Sequence, residues 1–268
     1  YKRIYNFFKR KEKEEIENCD GIVCLTRAAE RIIKEWPQYR KKIPLEVIPC
    51  SVDLNLFDSE KVDPERKNAL KKEINIKDSD FIISYLGSIG GWYLTDVMMR
   101  FCKIIADKIS SSKFLFITPH EDKIIFEAAG KFEIPREKIV VRHAQRNEVP
   151  LLLSLSNYSI FFIKPCYSKQ SSSPTKHGEI MAMGIPVVTN SGVGDVEEIV
   201  KKYNSGIVLD RFTEQEFQRV AQSILEEFLS DRCQADKSVI RRGATDNYNL
   251  DVAIEKYRKL YSAVLRSE

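Results

Sequence analysis

From Phe81 onward, short apolar runs recur at regular intervals, and a segment long enough for a helix separates each run from the next. The six runs are 81–86 (FIISYL), 113–118 (KFLFIT), 138–142 (KIVVR), 158–163 (YSIFFI), 185–189 (IPVVT) and 206–209 (GIVL). They are rich in β-branched and aromatic residues and lack apolar/polar alternation, which suits strands covered on both faces. Strand and helix in strict turn predict an α/β fold: a doubly wound, Rossmann-like parallel sheet with right-handed crossovers. In such a sheet the loops that follow the strands share one edge, and ligands bind along it.

The rest of the chain is organised around this unit. Residues 21–26 (GIVCLT) read as a strand, 27–36 as a helix ended by Pro37, and 45–49 (LEVIP) as a second strand. Two strands are too few to close a domain. Residues 1–50 are therefore expected to be the last part of a second Rossmann-like domain, in an excised piece of a longer protein that starts here at Tyr1. Residues 51–246 form the main domain, and 247–268, with the amphipathic stretch 250–265, form a terminal helix. The opening segment is amphipathic too, with Ile4, Phe7, Phe8 and Ile16 beside the charge run KRKEKEE. That run reads as a solvated face, with a basic membrane-surface patch as the alternative.

The net charge of +4 over 268 residues is mild and lacks the concentrated basic stripe of a nucleic-acid binder. Cysteines 19, 24, 50, 102, 166 and 233 show no CxxC and no metal-ligand spacing, so reduced thiols and a cytoplasmic location are expected. No apolar run approaches the ~20 residues that span a bilayer.

Chemistry concentrates in 171–190, SSSPTKHGEIMAMGIPVVTN. Ser173 is a good N-cap, Pro174 fits the first helical position, and Gly184 with Pro186 marks the stop. Lys176 and His177 fall in the first turn, where the helix dipole disfavours cations unless something anionic binds. Ser171, Ser172, Ser173, Thr175 and Lys176 at a helix N-terminus form a phosphate cradle. The competing reading is a plain helix start with Lys176 solvated and paired to Glu179.

Other loops after strands add candidates. Residues 86–96 (LGSIGGWYLTD) carry Gly87, Ser88, Gly90 and Gly91, which would let backbone approach a ligand and expose N–H groups; a tight packed turn is the alternative, and the spacing is not the dinucleotide fingerprint. Residues 142–149 carry His143 and Arg146, and a lone histidine there is more often structural. In 189–199, Asp195 is expected to cap the helix that it begins. Thr118, Pro119 and His120 carry no specific signal. Without a nucleophile–base pair or metal cluster, positioning and charge stabilisation are the natural means of catalysis, and no catalytic residue is named.

The stretch SPTKHGEIMAMGIPVV (173–188) resembles the donor-site helix of GT-B fold glycosyltransferases, especially the large retaining family four. LEVIPCSVDLNLF (45–57) resembles that family's interdomain linker, and 250–265 is similar to the helix that crosses back to its N-terminal domain. The resemblance implies that 51–246 binds a nucleotide-sugar donor and that 1–50 is a remnant of the acceptor domain. Glu179 would hold the ribose hydroxyls, Lys176 and the serine-rich turn would lie near the diphosphate or sugar, the 87–91 loop would face the diphosphate, and 142–144 would meet the base. Transfer of a hexosyl-type sugar would pass through an oxocarbenium-like state, without a metal or other cofactor. The implied acceptor is a glycan or lipid-linked molecule of surface polysaccharide synthesis, with peripheral contact at the inner membrane face.

Two features depart from the family pattern. Ser171 stands eight positions before Glu179, where a second glutamate is common, and the first loop lacks the usual arginine and lysine. The fragment alone is expected to be inactive in transfer. A noncatalytic nucleotide-sugar binding module and a GT-B sugar-nucleotide epimerase are the alternatives.

Overall fold

The computed structural model describes residues 1–39, 43–230 and 235–265; Cys233 lies outside them. In chain order the elements are α1 (Lys2–Asn18), β1 (Ile22–Cys24), α2 (Arg27–Glu35), β2 (Leu45–Val47), α3 (Pro64–Glu73), β3 (Phe81–Leu86), α4 (Thr95–Lys108) and β4 (Ser112–Ile117). There follow α5 (Asp122–Lys131), β5 (Ile139–Arg142), α6 (Val149–Leu153), β6 (Tyr158–Ile160), α7 (Thr175–Ala182), β7 (Val187–Asn190), α8 (Val196–Lys202) and β8 (Gly206–Leu209). Helices α9 (Glu214–Ser230), α10 (Lys237–Tyr248) and α11 (Leu250–Leu265) complete the chain.

The six expected strands form one sheet in the order β5-β4-β3-β6-β7-β8, every pair parallel. The winding runs outward from β3 to β5, then jumps back to β6 at the side of β3. That reversal opens a crevice beyond the carboxyl ends of β3 and β6, the place where doubly wound sheets take ligands. All six residues of β3 are buried, as a strand with helices on both faces requires. Phe161 and Phe162 are fully buried just past β6, and Phe162 and Phe101 pack against Phe217 of α9. Each such ring stabilises the core by ~2–3 kcal/mol through area removed from water.

The apolar run 158–163 is longer than the strand it yields. After Ile160 the backbone turns to the loop that follows β3: Leu94 N–H donates to Phe162 O at 2.9 Å and Lys164 N–H to Trp92 O at 2.9 Å. Tyr93 and Ile163 form an antiparallel bridge between these segments.

Strands β1 and β2 pair in parallel as a separate small sheet. Asp195 ties it to the large one. Its carboxylate accepts from Arg27 N–H at 2.6 Å and Ala28 N–H at 3.0 Å, while Thr26 Oγ1 accepts from Ala29 N–H at 3.0 Å. The first three donors of α2 are thus satisfied, two of them from 167 and 168 residues away. The expected role of Asp195 is corrected accordingly: it makes no side-chain cap bond to α8, which it begins, and caps α2 instead. On the other side, Lys256 of α11 donates to Val47 O at 2.8 Å.

Helix α1 buries none of its residues and leaves Ile4, Tyr5, Phe7 and Phe8 exposed. Among the described residues, no helix is long and apolar enough to cross a membrane.

Candidate functional site

A cavity of about 480 Å³ lies at the carboxyl edge of the sheet, where four loops meet. Gly87 and Ser88 come from the end of β3, Thr118 from that of β4, Ala144 and Arg146 from that of β5, and Thr175, Lys176 and Glu179 from α7. A larger space of about 890 Å³ opens at the opposite edge, lined by Phe81, Tyr158 and Pro186 at strand starts. Size favours the second, but none of the loops that follow strands of the six-stranded sheet lines it, and the smaller cavity sits at the reversal of strand order.

Lys176 forms the floor. It is 6% exposed, its Nζ lies 3.8 Å from the centroid of the Tyr93 ring and 4.3 Å from that of Tyr85, and it donates to the Tyr85 hydroxyl at 3.2 Å. Burial pulls its pKa down to about 7, against a partial upward pull from Glu179. Gly87, with φ of +110°, makes room for it, since a Cβ there would stand 3.1 Å from Lys176 Nζ. The lysine is therefore neither solvated nor ion-paired to Glu179.

Glu179, one turn on, is buried and pairs with Arg146 Nη1 at 2.7 Å. The Arg146 guanidinium in turn lies 5.2 Å over the Phe57 ring, so the linker after β2 helps to place it. His177 faces the other way. It is fully buried, its Nδ1 is 2.9 Å from the Tyr248 hydroxyl, and burial lowers its pKa to about 3, so it is neutral and belongs to the α7–α10 packing.

The remaining sequence candidates are dispersed. Ser173 does not cap α7: its Oγ accepts from Cys50 N–H at 3.1 Å, and Pro174 takes the N-cap position without a side-chain bond. Ser172 and Ser173 line a crevice of only about 10 Å³ against Leu25, Thr26 and Asp195, away from the cavity. Gly90 and Gly91 do not line the cavity, and Gly90 N–H already donates to Thr95 Oγ1 at 3.2 Å. Gly87 N–H is likewise engaged, by Ile117 O at 2.8 Å. His143 is exposed and pairs with Asp122 at 2.9 Å. Ser171 Oγ donates to Ser168 O at 2.9 Å.

Of the sequence candidates, the structure gathers Gly87, Ser88, Thr175, Lys176 and Glu179. Arg146, named in the 142–149 loop, joins them, as do Tyr93 and Thr118, to which the sequence gave no site role. Arg146 stands three residues beyond His143, the residue whose type drew notice. Among the described residues, no three His, Cys, Asp or Glu side chains gather as a metal site.

A doubly wound parallel sheet with a crevice at its reversal point defines the class of α/β fold that takes ligands at the carboxyl ends of its strands. The family model described as glycosyl transferases group 1 matches residues 66–240, and the chain belongs to that family. The same fold occurs in a glycosyltransferase from Rickettsia africae, with a TM-score of 0.77 and 15% identity over 96% of this chain and 67% of that one. WaaG, a glycosyltransferase involved in lipopolysaccharide biosynthesis, gives 0.68 and 16% over 86% of this chain and 61% of its own. Anabaena HepE in complex with UDP and glucose gives 0.72 and 12% over 92% and 64%. The chain thus spans about two thirds or less of each of these structures. The curated proteins contain no match to it.

Proposed function

We propose that this chain is the donor-binding part of a glycosyltransferase and that the cavity takes a nucleoside diphosphate sugar. The observation that carries the reading is the placement of Lys176 and Glu179 on one face of α7, both buried, both lining the crevice where the strand order reverses. A buried carboxylate beside a buried amine matches the two ends of such a ligand: Glu179 accepts hydrogen bonds from the ribose hydroxyls, and Lys176 meets the diphosphate. Arg146 pairs with Glu179 at 2.7 Å, so an entering ribose shares or displaces it.

In this reading the acceptor hydroxyl attacks the anomeric carbon, the bond to the diphosphate oxygen breaks with its electron pair leaving on the diphosphate, and the hydroxyl proton passes to a phosphate oxygen of that leaving group. Lys176 stabilises the charge that develops on that leaving group, which is transition-state stabilisation by a cation already in place. We take the reaction to retain anomeric configuration and the acceptor to be a growing glycan or a lipid-linked sugar. The structures of HepE with UDP-glucose and of a pneumococcal O-GlcNAc transferase with UDP make uridine nucleotides the first to test.

The test is a thermal-shift and calorimetric screen of UDP, GDP, ADP and CMP sugars, with Glu179→Ala as control. One nucleotide is expected to stabilise the wild-type chain, and the substitution to weaken its binding about 10- to 100-fold, from the loss of hydrogen bonds to a charged acceptor. A chain that no nucleotide stabilises, or a Glu179→Ala variant that binds as wild type does, removes the reading.

A further inference from the structure

We propose that Tyr85 and Tyr93 are positioning residues for the donor's diphosphate: their ring faces hold the Lys176 amine in place and favour its protonated form without an ion pair, so an entering diphosphate meets an amine that no carboxylate claims. The proposal rests on the reading of the cavity as a nucleoside diphosphate site and adds to it how the cation is kept ready.

A buried amine ordinarily survives by pairing with a carboxylate. Among the described residues, Lys176 has no such partner. On its own helix, Glu179 is held by Arg146 at 2.7 Å, and His177 is turned toward Tyr248. From β3 and the loop after it come only Tyr85 and Tyr93, and burial raises the pKa of both phenols, so neither serves as an anion. What compensates the ammonium is the negative face of two rings, at 4.3 and 3.8 Å, and the Tyr85 oxygen at 3.2 Å. The Tyr85 hydroxyl spends its own proton on Ser88 O and so presents a lone pair to the amine.

Both rings are fixed by backbone. Tyr85 stands in a fully buried strand, and Tyr93 sits where residues 92–94 are laced to 162–164 by two hydrogen bonds of 2.9 Å. The rings also pack edge to face, with centroids 6.2 Å apart. Against a carboxylate, the diphosphate would have to break an ion pair before it could form one. Against ring faces, it only outcompetes a weaker attraction.

The experiment titrates inorganic pyrophosphate and UDP into the protein between pH 6 and 9, for wild type, Tyr93→Phe, Tyr93→Leu, Tyr93→Met, Tyr85→Phe and Lys176→Met. Tyr93→Phe keeps the ring and is expected to bind within about 2-fold of wild type. Tyr93→Leu and Tyr93→Met lose it and are expected to bind about 3- to 30-fold more weakly at pH 8, the range of a desolvated cation–π contact. Tyr85→Phe is expected to lose about 2- to 10-fold with the hydroxyl acceptor. Wild-type affinity has a component that falls as pH rises through the region where Lys176 gives up its proton. That component should begin at lower pH in the ring-less variants and vanish in Lys176→Met, a pattern that a purely structural tyrosine would not produce. Ring-less variants that bind with wild-type affinity and pH profile overturn the proposal; should Leu unfold the loop, Met and the contrast of wild type with Lys176→Met decide it. A wild-type chain that binds neither probe removes the underlying reading and this inference together.

Discussion

Lys176 is held in place at a cost to the folded state. Its pKa is about 7 in the native chain against an ordinary 10.5, so between these values the unfolded chain binds a proton that the folded chain does not. Stability therefore rises with pH through that window, and at pH 7 and below the burial of this amine destabilises the fold by roughly 3–5 kcal/mol. Replacing it with an apolar side chain of similar length removes that penalty together with the ring contacts. Lys176→Met is expected to unfold at higher urea concentration at pH 7, by about 1–3 kcal/mol, while losing diphosphate affinity. Equal or lower stability would mean that the amine is better compensated than its surroundings indicate. The pattern around this residue was legible in the sequence, because a cation in the first turn of a helix is unusual on local grounds. The approach of Arg146 and Tyr93 to α7 was not, because it depends on which strands are neighbours, and nothing local encodes that.

Asp195 makes the corresponding point for whole elements. As the residue that opens α8 it reads as a cap for α8, yet its carboxylate spans to Arg27 and Ala28 and caps α2. Asp195→Ala is expected to cost ~1–2 kcal/mol, the value of a lost cap, with the loss concentrated in α2 and the small sheet rather than in the six-stranded core. Hydrogen exchange followed by peptide would show faster exchange in 22–35 and little change in 81–117; uniform change would argue that the two sheets unfold as one unit. The six large strands were legible because strands covered on both faces must be continuously apolar, and α11 was legible from its periodicity alone. What local pattern could not locate were ends set by distant partners. Helix α7 starts at Thr175 because the Ser173 hydroxyl is taken by Cys50 N–H, and β6 stops at Ile160 because, after a last bond from Phe161 N–H to Val188 O, Phe162 and Lys164 bond to the loop at 92–94.

At the scale of the molecule, one buried imidazole joins most of these parts. His177 lies 5.9 Å from the Phe161 ring and 5.5 Å from that of Tyr248, between the sheet and α10. Tyr248 O also accepts from Val52 N–H at 2.7 Å, so the linker, α10 and the helix bearing Lys176 and Glu179 are tied at a single point. Burial holds the imidazole pKa near 3 against an ordinary 6.5. Below pH 6.5 the unfolded chain gains a proton that the native chain refuses, so stability declines as pH falls, by ~1.4 kcal/mol per unit until about pH 3. Carboxylates whose pKa is lowered in the native state, such as Glu30 beside Lys34 and Arg27, add to the same acid loss, so the wild-type slope alone does not isolate His177. A His177→Phe variant does isolate it. It forfeits the bond to Tyr248 and should be less stable than wild type at pH 7, by about 1–2 kcal/mol. It has no proton to take up, so near pH 4 it should become the more stable of the two. Urea unfolding at pH 7, 5.5 and 4 would show the two stability curves crossing; curves that stay parallel would place the acid sensitivity of this fold elsewhere than at the α7–α10 junction.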